Sequence, residues 1–253
     1  MKRYLSLLLI GFLFFSCGSK RELTIYLVGD STMSDKPDPE INPERGWGQM
    51  LPMFFNEQTH IHNFAVNGRS TKSFIDEGKW DAVLEQLQPG DYVFIQFGHN
   101  DQKSADPRRF TNPYTAYRRN LIRYVRDSRN KGAVPVLFTS IVRRKFNETG
   151  TLEDTHGVYP FVVRDVAREL NVPFVDLQLK SEDLVIALGP EASKKLYLWV
   201  EPGVYEKLPE GKQDDTHFQE KGATEMARLA VEGLIENQLP LTQFLKSDEA
   251  DSH

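Results

Sequence analysis

The chain holds a single cysteine, Cys17, in 253 residues, so no intrachain disulfide can brace the fold. It has no long basic run. Its 31 Lys and Arg stand against 36 Asp and Glu, for a formal charge of −5, which argues against a surface built to neutralise nucleic-acid phosphates. No proline-, glycine- or serine-rich linker divides it, and no internal repeat recurs. The first apolar strand is followed by Gly29-Asp30-Ser31-Thr32 rather than a glycine-rich phosphate cradle, which weighs against a flavin or nucleotide binder. Asp214, Asp215 and His217 have ligand chemistry, but no second histidine sits at ligand spacing beside them. His60 and His62 fall on an expected strand, where alternation puts both on one face in a structural role. No metal site is expected.

Long apolar runs are also missing. The run at residues 4–15, preceded by Lys2 and Arg3, is too short to span a bilayer and has the layout of a secretory signal. It ends in Phe14-Phe15-Ser16-Cys17-Gly18, which resembles the lipobox of bacterial lipoproteins. A lone exported thiol is otherwise odd. The expectation is a lipoprotein signal peptide at 1–16, lipidation of Cys17 and a short tether at 17–22. The protein would then be exported to the periplasm or cell surface, with the membrane as partner through the lipid. The alternative is ordinary signal cleavage beside an incidental cysteine.

What remains is ordinary globular composition, 40% hydrophobic and 26% charged. Strands are expected at 23–28, 60–66, 91–97, 134–140 and 172–175. Helices are expected at 48–56, 114–131, 159–170, 177–188 and 218–237. Gly132 is the expected cap of the second helix. Apolar strands separated by helices indicate an α/β fold, a three-layer αβα sandwich on a parallel sheet. One domain is expected over 23–245, with a polar tail at 246–253.

In such sheets ligands bind at the carboxyl ends of the strands. Three consecutive strand ends carry Ser31, Gly68 and Asn100, and Asp214 and His217 precede the last helix. A serine nucleophile needs a base, the base needs an orienting carboxylate, and the oxyanion needs preorganised donors. Ser31 can supply the hydroxyl and His217 the base. The Ser31 N–H, the Gly68 N–H and the Asn100 amide can supply donors. Asp214, three residues before His217, can reach back to the imidazole. Gly68 reads equally as a plain turn glycine, and Asn100 as an Asx turn. Asp30 reads as a brace of the serine turn, and His99 as an ordering residue. Thr216 and Gln219 form a Thr-x-x-Gln pattern that places His217 in the first turn of the final helix.

Ser31, Gly68, Asn100 and His217, each in its own block and in that order, resemble the SGNH hydrolase superfamily. Gly-Asp-Ser-Thr, the Gly46-Trp47-Gly48 turn and the run from Asn67-Gly68-Arg69-Ser70 to Phe74 are similar to rhamnogalacturonan acetylesterases. Gly98-His99-Asn100-Asp101 and Asp214-Asp215-Thr216-His217-Phe218 agree, and the likeness covers residues 24–236. The resemblance implies a five-stranded flavodoxin-like sheet, no cofactor, and removal of acetyl groups from pectic polysaccharide or oligosaccharide. It also implies Asp214 rather than Asp215 as the triad acid. Arg69, Trp47, Trp80, Arg143 and Arg144 are candidate sugar contacts, because arginine pairs with uronate carboxylates and aromatic faces stack on sugar rings. Each fits surface or packing equally well. Rival readings are an esterase of the same superfamily acting on acetylxylan, lipid or thioester, and a glycan-binding lipoprotein without catalysis.

Overall fold

The computed structural model describes residues 22–247. The expected signal peptide, Cys17 and nearly all of the tether and tail lie outside the described residues. The elements run β1 (Leu23–Gly29), β2 (Glu44–Arg45), α1 (Trp47–Met50), β3 (Thr59–Asn63), α2 (Thr71–Asp76), α3 (Lys79–Leu84) and β4 (Tyr92–Gln96). They continue through α4 (Arg118–Asn130), β5 (Val134–Phe138), α5 (Tyr159–Leu170), β6 (Phe174–Val175), α6 (Leu177–Ala192), β7 (Tyr197–Val200), β8 (Lys212–Gln219) and α7 (Glu220–Glu236).

Five strands form one parallel sheet in the order β3-β1-β4-β5-β6. All but the edge strand β3 are apolar on both faces, and alternation sorts their side chains into two cores. Ile25, Leu27, Phe94, Val136 and Phe138 pack with Trp47, Val185, Met226 and Ala230, from α1, α6 and α7. Tyr26, Val28, Val93, Ile95 and Leu137 pack with Phe74, Trp80, Tyr124 and Val163, from α2 to α5. The result is the expected three-layer αβα sandwich. His60 and His62 share the exposed face of β3, where the His62 ring stacks on Tyr26 at 5.2 Å.

Three expectations are corrected. The helix expected at 48–56 is only α1 followed by a 3-10 turn, Leu51–Phe54, because Pro52 has no N–H to continue an α ladder. The helix expected at 114–131 opens with a π turn, Pro113–Tyr117, before α4 begins. Gly132 follows α4 with φ 75, as a capping glycine should. The third correction bears on function. A second, antiparallel sheet, β2-β8-β7, was not expected, and β8 takes up residues assigned to the helix entry. His217 therefore lies on a strand. Phe218 pairs with Arg45 on one side and Tyr197 on the other, which holds this backbone extended. Gln219 makes no cap; its side-chain amide donates to the Tyr197 and Trp199 carbonyls.

Candidate active site

β1 ends at Gly29, and the chain turns at once: the Asp30 carbonyl accepts from the N–H groups of Met33 and Ser34. That turn lifts Ser31 to the rim of a pocket of about 490 Å³. Asp30 is fully buried beneath it. Its carboxylate accepts from the Thr32 N–H at 3.0 Å and hydroxyl at 2.9 Å, and faces His99 Nδ1 at 3.2 Å. Burial pushes the Asp30 carboxyl up, but His99 and the Thr32 donors outweigh it and hold it below the usual carboxylate range. His99 Nε2 faces the Ile141 carbonyl at 3.1 Å, so this buried ring orders two loops.

Gly68 is the third residue of a turn closed by the Arg69 N–H on the Val66 carbonyl, and its φ of 76 suits glycine. Among the described residues, neither the Gly68 N–H nor the Ser31 N–H has a protein acceptor. Asn100 is buried at the loop after β4. Its amide donates to the Arg69 carbonyl at 3.0 Å, which uses one of its two hydrogens. Asp101 next to it accepts from the Thr71 N–H and from the Thr71 and Thr111 hydroxyls, tying α2 to this loop. Burial exceeds these donors and lifts the Asp101 carboxyl to about 7.

Asp214 and His217 come from β8. His217 Nε2 is 2.9 Å from Ser31 Oγ, and Nδ1 is 2.9 Å from Asp214 Oδ2. The other carboxylate oxygen of Asp214 accepts from the N–H groups of Thr216 at 2.8 Å and His217 at 3.0 Å. Partial burial pushes this carboxyl up, but His217 and the two backbone donors hold it well below the usual range. Asp215 points away. It pairs with Arg144 at 2.7 Å and accepts from the Trp199 indole at 2.8 Å. The structure thus brings Ser31, Gly68, Asn100, Asp214 and His217 to one pocket.

The sugar-contact candidates divide. Arg143 lines the pocket, its guanidinium held by the carbonyls of Thr155 and His99. Arg69 lines an adjoining hollow of about 300 Å³ that meets the pocket at Gly68, and it pairs with Glu77 at 2.9 Å. Trp47, Trp80 and Arg144 line neither the pocket nor the hollow. Trp47 is wholly buried, its indole N–H on Gln96 at 2.9 Å. Trp80 is wholly buried against Tyr124, with its N–H on Asp127 at 3.0 Å. Arg144 is buried over the Trp199 ring, where it holds Asp215.

Sequence reading missed Gln96, which joins Trp47, Thr32 and the Thr139 carbonyl beneath the serine turn. It also missed Glu44, Asn67, Lys103 and Lys212 in the pocket wall. Asn67 was visible as the neighbour of Gly68; nothing local marks the others. Among the described residues no group of three or more His, Cys, Asp or Glu is arranged to hold a metal ion.

The GDSL-like Lipase/Acylhydrolase family matches residues 27–224. The chain belongs to that family. It is 44% identical over 234 residues to the rhamnogalacturonan acetylesterase RhgT of Bacillus subtilis (strain 168), covering 92% of this chain and 99% of that one. It is 39% identical over 221 residues to the probable rhamnogalacturonan acetylesterase YesY of the same organism, covering 87% and 96%. The crystal structure of protein YxiM from Bacillus subtilis is similar in fold, with a TM-score of 0.71 and 27% identity. That match covers 87% of this chain and 58% of the other, so the chain spans little more than half of that structure. As a family member, this chain is a carboxylic ester hydrolase of SGNH fold.

Proposed function

We propose that this hydrolase removes O-acetyl groups from an acidic plant cell-wall polysaccharide, rhamnogalacturonan-type pectin, through an acetyl-enzyme on Ser31. The chemistry rests on one observation: a continuous line from Asp214 through His217 to Ser31, with both contacts at 2.9 Å. Ser31 Oγ attacks the acetyl carbonyl as its proton passes to His217 Nε2, while Asp214 holds the ring and balances its charge. The carbonyl oxygen becomes an oxyanion, received by the N–H groups of Ser31 and Gly68 and the second hydrogen of the Asn100 amide. Collapse breaks the bond to the sugar oxygen, which takes the proton from His217. Water then attacks the acetyl-enzyme, its proton going to His217 and on to Ser31, and acetate leaves.

Pocket charge supports an acidic substrate. Lys103, Arg143 and Lys212 line the cavity, and among the described residues none of them is ion-paired. The carboxylates there are already engaged, Asp214 by His217 and Glu44 by Lys36. Desolvation and, after it, the like charges of Arg109 in the adjoining hollow and of Arg143 lower the Lys103 pKa. A uronate carboxylate would relieve that repulsion. The names of RhgT and YesY point to the same polymer. We assign Arg143, with Arg69 in the adjoining hollow, to sugar-chain contact. Export as a lipoprotein anchored at Cys17 completes the proposal, since a polymer cannot reach an enzyme inside the cell.

The test is acetate release from acetylated rhamnogalacturonan, acetylxylan and a series of nitrophenyl esters, with Ser31→Ala as control. Preference for the pectic polymer and for acetyl over longer acyl chains is expected. Equal turnover of acetylxylan, or binding without acetate release, overturns the proposal.

A further inference from the structure

Lys36 is 4% exposed, although lysine is among the residues least often buried. Its ammonium lies directly under the nucleophile turn. It donates to the Ser31 carbonyl at 2.8 Å and the Ser34 hydroxyl at 3.0 Å, pairs with Glu44 at 2.9 Å and contacts Asn67 Oδ1. Its own backbone is pinned by the Gln49 side chain, which donates to the Lys36 carbonyl and accepts from its N–H. Burying an ion pair costs desolvation that an apolar side chain of similar length avoids, so stability alone does not explain a lysine here.

The identity of the acceptors does explain it. The Ser31 carbonyl belongs to the proposed nucleophile. Asn67 supplies the carbonyl half of the peptide bond whose N–H is that of Gly68. Glu44 lies on β2 opposite Gln219 of β8, two residues beyond His217. We propose that Lys36 is a positioning residue for the attack by Ser31: one ammonium locks the serine turn, the Gly68 turn and the sheet bearing His217 into a single geometry. This rests on the reading of Ser31 as nucleophile.

The charged groups facing Lys36 are Glu44, Asp30 and Asp35, all of which favour its ammonium form. Burial outweighs them and lowers its pKa below that of an ordinary lysine. Lys36 therefore loses its charge at a lower pH than a surface lysine does, and losing it loosens the clamp.

The probe is a small fluorophosphonate. Serine oxygen bonds to phosphorus, fluoride departs and the serine proton goes to the imidazole, so the rate reports attack without sugar contacts. Labelling of Ser31 in the wild-type protein is expected. Lys36→Met is expected to slow labelling and kcat on nitrophenyl acetate by about tenfold or more, a loss of roughly 1.4 kcal/mol in barrier terms. KM should change little, the melting temperature should fall because the Ser31 carbonyl, Asn67 and Glu44 lose a buried partner, and Lys36→Arg should recover part of the rate. A folded Lys36→Met variant that labels at the wild-type rate overturns the proposal. If Lys36→Met does not fold, Glu44→Gln decides. Removing the counter-charge should move the alkaline fall in labelling rate to lower pH, and an unmoved limb overturns the assignment. Absence of Ser31 labelling in the wild type overturns the hydrolase mechanism itself, and the Lys36 role with it.

Discussion

Asp214→Asn replaces one oxygen with an amide group and tests the orientation of the base without moving it. Asp214 Oδ1 already receives the N–H groups of Thr216 and His217, at 2.8 and 3.0 Å. Only an oxygen can keep both, so the new NH₂ must face Nδ1 of His217, where Oδ2 stood at 2.9 Å. An NH₂ donates, so Nδ1 is left to accept and the ring proton moves to Nε2, the atom facing Ser31 Oγ. A protonated Nε2 cannot take the serine proton. A wrong tautomer in otherwise intact geometry costs about 10⁴ in turnover, or roughly 5.5 kcal/mol of barrier. The Asp214 carboxyl is held well below the usual range. It therefore stays ionised as the pH falls through the ordinary carboxylate pKa, and its contribution to stability is lost only below that. The paired control is Asp215→Asn. This residue serves Arg144 and Trp199 rather than the imidazole. Its loss should leave kcat within about threefold while lowering stability by roughly 1–2 kcal/mol, less than a fully buried pair because Asp215 is partly solvated. The assay is steady-state hydrolysis of nitrophenyl acetate beside thermal unfolding. An Asp214→Asn enzyme retaining more than about a tenth of wild-type kcat, or an Asp215→Asn enzyme losing as much, refutes the reasoning.

Asn100→Ala removes one oxyanion donor and should lower kcat by about 10²–10³ with little change in melting temperature; near-full activity removes Asn100 from the site. Arg143→Gln should raise KM for acetylated pectin by about tenfold, leave nitrophenyl acetate unaffected, and lose its effect in high salt. Trp47→Phe leaves Gln96 short of a buried donor and should cost roughly 1–3 kcal/mol in urea unfolding with KM unchanged. A KM shift instead would return Trp47 to the list of sugar contacts.

The parallel sheet was legible because its signal is local. Tyr92-Val93-Phe94-Ile95 is apolar at every position, and a strand buried on both faces needs that pattern. Ser31, Gly68 and Asn100 were legible because each follows a strand of the parallel sheet, whereas Asp214 and His217, which lie within β8, were legible from their own block and spacing. The two tryptophans and Arg144 were misread because burial is a property of the assembled core. An indole on Gln96 and an indole on Asp127 look alike in sequence to one awaiting a sugar. Lys36 and Glu44 were invisible for the same reason: their meaning lies in a contact between a loop and a strand of the second sheet. That sheet was itself hidden. Glu44-Arg45 is too short to show alternation, and Lys212–Gln219 is mostly polar.

The spacing of Asp214 and His217 joins these strands of argument. On a helix, residues three apart share a face, and the Thr216-x-x-Gln219 pattern predicts a helical first turn at His217. On a regular strand they point to opposite faces and cannot meet. β8 resolves the conflict with an irregularity. Leu198 pairs with Asp214, and the adjacent Tyr197 pairs with Phe218, so Asp215, Thr216 and His217 bulge out of the ladder between two paired positions. The Asp214 carboxylate fastens that bulge through two backbone N–H groups while its other oxygen meets the ring. One side chain thus shapes the backbone that delivers the imidazole and orients the imidazole once delivered. Because Phe218 pairs on both sides, the bulge cannot slide along β8 without unpairing β2 and β7 together. The parallel sheet can then supply hydroxyl and amides from rigid strand ends, while the base arrives from a separate sheet at a height set by this bulge.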